Sequence, residues 1–183
     1  MAEGSEHARN IRRLIGSVDA EVDEKCRITI PSKFRDQLGS EFVAFLSKHN
    51  SIHLIPDSTF DKICEDIEQY DPLEESVDFY KRIFYSSCTS SQEYDNQGRY
   101  VIPLSFRTKA NLFPKSKVKF TGAGAWLEVW NSDEYESYVN SYGSYGQERV
   151  ELFNKSYARM KATKLPLSGF NVIRNTLRDQ EGL

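Results

Sequence analysis

Cysteine is scarce in this sequence of 183 residues: Cys26, Cys64 and Cys88 are three, an odd number, and lack the paired spacing of metal ligands. That argues against a disulfide scaffold or a cysteine-based metal module and fits a reducing cytoplasm. Long apolar runs are missing as well. No stretch of 18 or more apolar residues occurs, and the opening MAEGSEHARNIRRLIGS has no apolar core, so neither a membrane span nor a secretory signal is expected. Enzyme signatures are also absent. There is no His-Glu-x-x-His and no Gly-x-Ser-x-Gly, and His7, His49 and His53 show no ligand spacing. Gly122-x-Gly124 falls between two short strands, without the following helix or the Lys-Ser/Thr of a phosphate loop. No catalytic residue, metal, cofactor or small-molecule substrate is expected. The sequence also lacks an excess of positive charge, with 24 Lys and Arg against 27 Asp and Glu, a net charge of −3 and a pI near 5.7.

What is present is bulk for a core. Eleven Phe, ten Tyr and two Trp in a chain that is 39% hydrophobic and 28% charged suit one large domain or two small ones, not a disordered chain. The acidic total hides a segregation of charge. Nine acids and one base lie between Asp57 and Tyr80. Six bases and two acids lie between Ser91 and Phe120, and seven bases and two acids between Glu148 and Arg178. A basic face can therefore coexist with an acidic whole, which leaves nucleic acid open as a partner.

The most informative feature is an internal repeat. Glu21–Arg35 (EVDEKCRITIPSKFR) and Glu93–Arg107 (EYDNQGRYVIPLSFR), 72 residues apart, agree at seven of fifteen positions, where ordinary residue frequencies give roughly one match. The identities are Glu21/Glu93, Asp23/Asp95, Arg27/Arg99, Ile30/Ile102, Pro31/Pro103, Phe34/Phe106 and Arg35/Arg107. Hairpin patterns follow both copies: Phe42–Leu46 with Ile52–Ile55, and Lys117–Thr121 with Trp126–Trp130 around a Gly122/Gly124 turn. Two copies at this spacing suit a pseudo-twofold domain rather than a solenoid.

Each copy follows the same local logic. A strand runs into Asp23 or Asp95, whose carboxylate can accept from backbone N–H groups two residues on and open a tight turn. A second strand, Arg27–Ile30 or Arg99–Ile102, stays extended because proline follows it. The proline suits the first turn of a short helix, which buries Phe34 or Phe106. Elsewhere, Phe60, Ile63, Cys64 and Ile67 recur at helical spacing in Asp57–Tyr70, with Asp57 or Ser58 as a cap. Further helices are expected over Leu73–Phe84, Ser132–Val139 and, with basic character, Gln147–Lys164.

Two tandem copies of Asp-x-x-x-Arg, extended Ile-Pro and Phe-Arg helix resemble the MraZ family, tandem relatives of the AbrB-type swapped-hairpin transcription factors. The resemblance spans roughly Gly16–Tyr138 and includes the LEVW strand at Leu127–Trp130. It implies a mainly β fold with flanking helices, a pseudo-twofold, swapped-hairpin (double-split) β-barrel built from two AbrB-like repeats. It further implies a ring-like homo-oligomer, double-stranded DNA with repeated sites as partner, and a cytoplasmic, nucleoid-associated regulator of the bacterial division and cell-wall gene cluster. The matched DNA-binding positions are Asp23, Lys25, Arg27 and Arg35 in the first copy, and Asp95, Arg99 and Arg107 in the second. Arg27 and Arg99 project a guanidinium fork toward phosphate or guanine, the aspartates hold the turns, and Lys25 adds a phosphate contact. Arg35 and Arg107 are open to two readings, DNA contact or an ion pair within the chain. Cys26 departs from the family's glycine, so either the first turn has another shape or it carries left-handed strain of about 1 kcal/mol.

The expected organisation is an N-terminal extension over 1–15, a first repeat and helix over 16–70, and a linker helix over 71–88. A second repeat and helix follow over 89–141, then a basic helix and tail over 142–183. Arg9, Arg12 and Arg13 belong either to a DNA-binding arm or to a solvated tail. Outside DNA binding, the alternative is an oligomeric protein-interaction scaffold. Within it, the alternatives are an AbrB-like regulator of another regulon or a non-specific architectural protein.

Overall fold

The computed structural model describes residues 13–141, 150–151 and 154–157. The first copy contributes β1 (Leu14–Glu21), β2 (Arg27–Thr29), α1 (Ser32–Leu38), β3 (Glu41–Leu46) and β4 (Ile52–Pro56). Two helices, α2 (Asp57–Glu68) and α3 (Glu75–Ser86), lead to the second copy. That copy contributes β5 (Gln92–Glu93), β6 (Arg99–Val101), α4 (Leu104–Lys109), β7 (Lys117–Gly124) and β8 (Leu127–Asn131), and α5 (Ser132–Ser141) follows it.

The two copies interleave. β1 of the first pairs antiparallel with β7 of the second, from Leu14 opposite Gly124 to Glu21 opposite Lys117. Reciprocally, β5 of the second pairs with β3 of the first, Glu41 opposite Glu93. β2 pairs with β6 so that Ile28 faces Tyr100, its own equivalent at the repeat offset. β4 pairs with β8 so that His53 faces Glu128. The pseudo-twofold relation read from the repeat thus runs through the β2–β6 and β4–β8 ladders. The result is a six-stranded sheet in the order β1-β7-β8-β4-β3-β5 and a separate two-stranded β2–β6 ribbon. The six-stranded sheet keeps β1 and β5 as edges and does not close on itself. β5 has only two residues where β1 has eight, and beyond it the chain follows β3 through single bonds such as Thr89 N–H to Ala44 O at 2.8 Å.

Ribbon and sheet share one core. Ile28, Ile30, Tyr100 and Ile102 bury their side chains with Phe34, Phe106, Phe42, Leu54, Val118, Phe120, Leu127 and Val129, and Phe42 meets Tyr100 edge-on at 5.1 Å. Because side chains alternate along a strand, burying Ile28 and Tyr100 turns Arg27, Thr29, Arg99 and Val101 outward. Pro31 and Pro103 sit at the N-caps of α1 and α4 with φ of −58° and −55°. The extended backbone they impose ends β2 and β6 and starts each helix at once. On the other side of the sheet, Ile63 and Ile67 of α2 pack with Phe84 of α3, Phe45, Ile55 and Trp126. The apolar stripe of α2 is therefore internal packing.

Two expectations are corrected. Gly122 and Gly124 do not form the hairpin turn; both belong to β7, and the reversal falls at Ala125–Trp126. Gly122 is needed because the β1 backbone passes so close that a Cβ would collide with it. Pro56, not Asp57 or Ser58, occupies the N-cap of α2, and α3 is capped by Glu74, whose carboxylate accepts from Val77 N–H at 3.0 Å. The extension up to residue 12, the 142–146 loop and the tail lie outside the described residues. Of the expected basic helix, Val150, Glu151 and residues 154–157 are described and are helical.

Candidate nucleic-acid interface

The two turns are built alike. In the first, one carboxylate oxygen of Asp23 accepts from the N–H of Lys25 at 2.8 Å and of Arg27 at 2.9 Å. The other accepts from Arg27 Nε and Nη2, both at 2.7 Å. In the second, Asp95 accepts from Gln97 N–H and Arg99 N–H at 2.9 Å each, and from Arg99 Nε and Nη2 at 2.6 Å. The strands on either side close through Asp23 N–H to Arg27 O and Asp95 N–H to Arg99 O, 2.8 and 3.0 Å. Each aspartate therefore does two jobs with two oxygens: it shapes the turn, and it holds a guanidinium by its Nε edge.

The residue at each apex adopts left-handed dihedrals, Cys26 with φ 59° and Gly98 with φ 80°. The cysteine does not reshape the first turn; it carries strain that glycine avoids. Each turn is also gripped by the opposite copy, through Ile30 N–H to Gly98 O at 2.8 Å and Ile102 N–H to Cys26 O at 3.3 Å. Arg35 bonds to backbone carbonyls rather than to an acid among the described residues. Its Nε donates to Ile30 O at 2.7 Å and its Nη2 to Gln97 O at 3.1 Å, clasping the second turn from the first copy. Its guanidinium lies where a Cβ on Gly98 would be. The equivalent Arg107 has no such clasp: its Nε is buried without a hydrogen-bond partner among the described residues, and the apex it would cover carries the Cys26 side chain. Cys26→Gly is accordingly expected to relieve about 1 kcal/mol of strain. That corresponds to a thermal midpoint about 2–4 °C higher by calorimetry.

The two turns emerge at opposite ends of one ribbon. Arg27 stands opposite Val101 and Arg99 opposite Thr29, so the arginines occupy diagonal positions whose Cα atoms are ~7–8 Å apart. Lys25 is exposed at the first apex. The guanidinium of Arg99 beside Asp95, reinforced by the N–H groups of Arg99 and Gln97, holds that carboxyl at a pKa of about 2. Arg27 and the same set of donors pull Asp23 in the same direction. A carboxyl whose folded pKa lies below its unfolded value stabilises the fold above about pH 4, and this stabilisation is lost as pH falls toward 2. Circular dichroism melts should show Asp95→Asn less stable than the parent at pH 7. The gap should narrow as pH drops from 5 to 2.

A half-buried polar group that the sequence did not reveal holds the opposite ladder. Glu128 accepts from the indole N–H of Trp130 at 2.8 Å and of Trp126 at 3.3 Å. That explains the glutamate embedded in an apolar Leu-Glu-Val-Trp strand. Across the pseudo-twofold, His53 Nε2 lies 3.5 Å from Glu128 and 3.2 Å from Ser51 Oγ, with its ring stacked on Trp126. Burial holds His53 neutral, its pKa pushed down to about 3, and burial pushes Glu128 up. The one available signal was a charged residue inside an otherwise apolar strand. This network ties the halves together on the face of the repeat remote in sequence from the turns.

The described residues contain no helix long and apolar enough to cross a membrane. Comparison with known proteins agrees with the tandem architecture. The chain matches the family model of the MraZ protein over residues 14–79 and 87–150, the two copies with their helices. The transcriptional regulator MraZ of Bifidobacterium longum is 34% identical over 126 residues, 69% of this chain and 82% of that protein. That of Syntrophomonas wolfei is 33% identical over 142 residues, 75% of this chain and 97% of that protein. That of Finegoldia magna is 33% identical over 119 residues, 65% and 81% of the two chains. These relatives are regulators of transcription, not enzymes. With both repeats matched and both turns intact, this chain belongs to the MraZ family.

Proposed function

We propose that the chain is a sequence-specific, DNA-binding transcriptional regulator that reads repeated promoter sites through its two Asp-x-x-x-Arg turns. The observation that carries this reading is the pair of identically built turns at the two ends of one exposed ribbon. A two-stranded ribbon fits the major groove. Each aspartate leaves the outer edge of its guanidinium to face phosphate or guanine, while the held Nε fixes its direction. The name carried by the relatives, transcriptional regulator, supports the same reading.

In this reading the interleaved halves belong to a swapped-hairpin barrel, and the subunits assemble into a ring. Lys25, Arg27 and Arg99, with Arg35 and Arg107 beside them, supply about three to five phosphate contacts, a modest affinity for one subunit. Neighbouring subunits engaging adjacent repeats multiply it through effective concentration. The target is the promoter of the division and cell-wall cluster, and the site of action is the nucleoid within the cytoplasm. Anisotropy titrations with DNA from upstream of the chain's own gene, against a scrambled duplex at several salt concentrations, test the reading. The native duplex should bind more tightly at every salt, and Lys25→Ala should lower the log–log salt slope by about 1 per subunit without changing the preference. Equal affinity for both duplexes contradicts sequence-specific regulation.

A further inference from the structure

The outer face of the β2–β6 ribbon carries four side chains, two of which the aspartates already explain. The other two are Thr29 and Val101, equivalent positions of the repeat. Val101 is 59% exposed. It sits directly opposite Arg27 in the ladder and two residues beyond Arg99 on its own strand. A β-branched apolar group stands between two fixed guanidinium forks, while Ile28 and Tyr100 on the reverse of the same ribbon complete the core. The fold does not need two methyls at this place, because the equivalent Thr29 holds one methyl and a hydroxyl.

Resting on the DNA reading above, we propose that Val101 is a specificity-determining residue that packs against the C5-methyl group of a thymine in the major groove. The chemistry is that of direct readout. Arginine forks pair with phosphate or guanine edges, and the apolar surface distinguishing a T·A pair there is the thymine methyl. A ribbon whose forks reach guanine edges brings the residue between them against base edges as well. Charge complementarity between the forks and DNA selects this occupant over an apolar protein surface. The pseudo-twofold makes the prediction directional. The forks are the same on both sides, whereas the flank offers two methyls at Val101 and one methyl beside a hydroxyl at Thr29. The methyl contact is therefore stronger on the Val101 side of the ribbon axis.

The test uses the full-length protein and the duplex that it enriches from a random-sequence library. Each thymine of that duplex is replaced in turn by uracil, which lacks only the methyl. The wild type should show a position where uracil weakens binding roughly fourfold, the worth of one buried methyl. In Val101→Ala that penalty should vanish, with the salt slope and the oligomer mass unchanged. Thr29→Val should deepen the uracil penalty at a second position, on the other side of the axis. A uracil profile identical in wild type and Val101→Ala overturns the inference and leaves the DNA reading standing. So does a Val101→Ala protein of altered oligomer mass, which assigns the side chain to contacts between subunits. A wild type that enriches no sequence brings down the DNA reading and this inference with it.

Discussion

Replacing Arg27 and Arg99 together by alanine is expected to weaken binding to the enriched duplex by about 30-fold to 2×10⁴-fold, at about 1–3 kcal/mol for each guanidinium fork removed from the DNA. The fold should survive. Neither arginine side chain takes part in the core, and each turn keeps the backbone bonds that the aspartate accepts from positions two and four residues on. The ion pairs themselves are at the surface, where such pairs contribute little to stability. Circular dichroism and a thermal melt of the double variant should therefore track the wild type within a few degrees. Each single variant should show an intermediate reduction in affinity, because the two forks lie on the same ribbon face and approach one duplex together. An unfolded double variant would reassign the arginines to structure.

Gly122→Ala is expected to be the most destabilising glycine-to-alanine substitution among Gly98, Gly122 and Gly124, costing about 3 kcal/mol or more, beyond the ordinary range for overpacking. The Cβ would stand 2.5 Å from Ile15 N and 2.6 Å from Leu14 O, and closer still to the Leu14 carbonyl carbon. All three are backbone atoms of β1, so no rotamer change makes room. Gly122 is paired on both sides, with Gly16 of β1 and Leu127 of β8. The strain must be met by moving β1, the strand that ties the first copy to the second. Gly98→Ala should cost less, because the clash is with the movable guanidinium of Arg35. Gly124→Ala, with open space but φ +85°, should cost only about 1 kcal/mol of left-handed strain. Denaturant midpoints for the three variants should fall in that order. A Gly122→Ala protein as stable as the Gly124→Ala one would show that β1 and β7 are not packed as described.

The local content of each repeat was legible because it rests on short-range chemistry. An Asp that opens a turn, a residue held extended before proline and a phenylalanine three residues into a helix all act within a few positions. The strands around the turns and the helices α1, α2, α4 and α5 accordingly lie where the pattern places them, to within a residue or two. What the sequence withheld depends on partners far along the chain. Gly122 reads as a turn residue until β1, from the far end of the fold, is found against it. Arg35 reads as a surface cation until the apex of the other copy's turn appears beneath it. Glu128 is an anomaly in an apolar strand until two indoles are seen to point at it. Cys26 was readable as a departure but not as a tolerated one, since only the shared φ of the two apices shows that the turn kept its shape. The edges of the sheet were hidden for the same reason. β5 shares only its last residue with β1, Glu93 for Glu21, and its pairing stops after two residues.

The two turns and the ribbon between them form, in the proposed function, one DNA-reading surface. Hydrogen–deuterium exchange of the full-length protein, with and without the enriched duplex, tests this most directly. Slower exchange is expected in the peptides spanning residues 22–30 and 94–102 together, in both copies of the repeat. Protection confined to other segments, such as the acidic α2–α3 pair, with both turns unchanged, would contradict it.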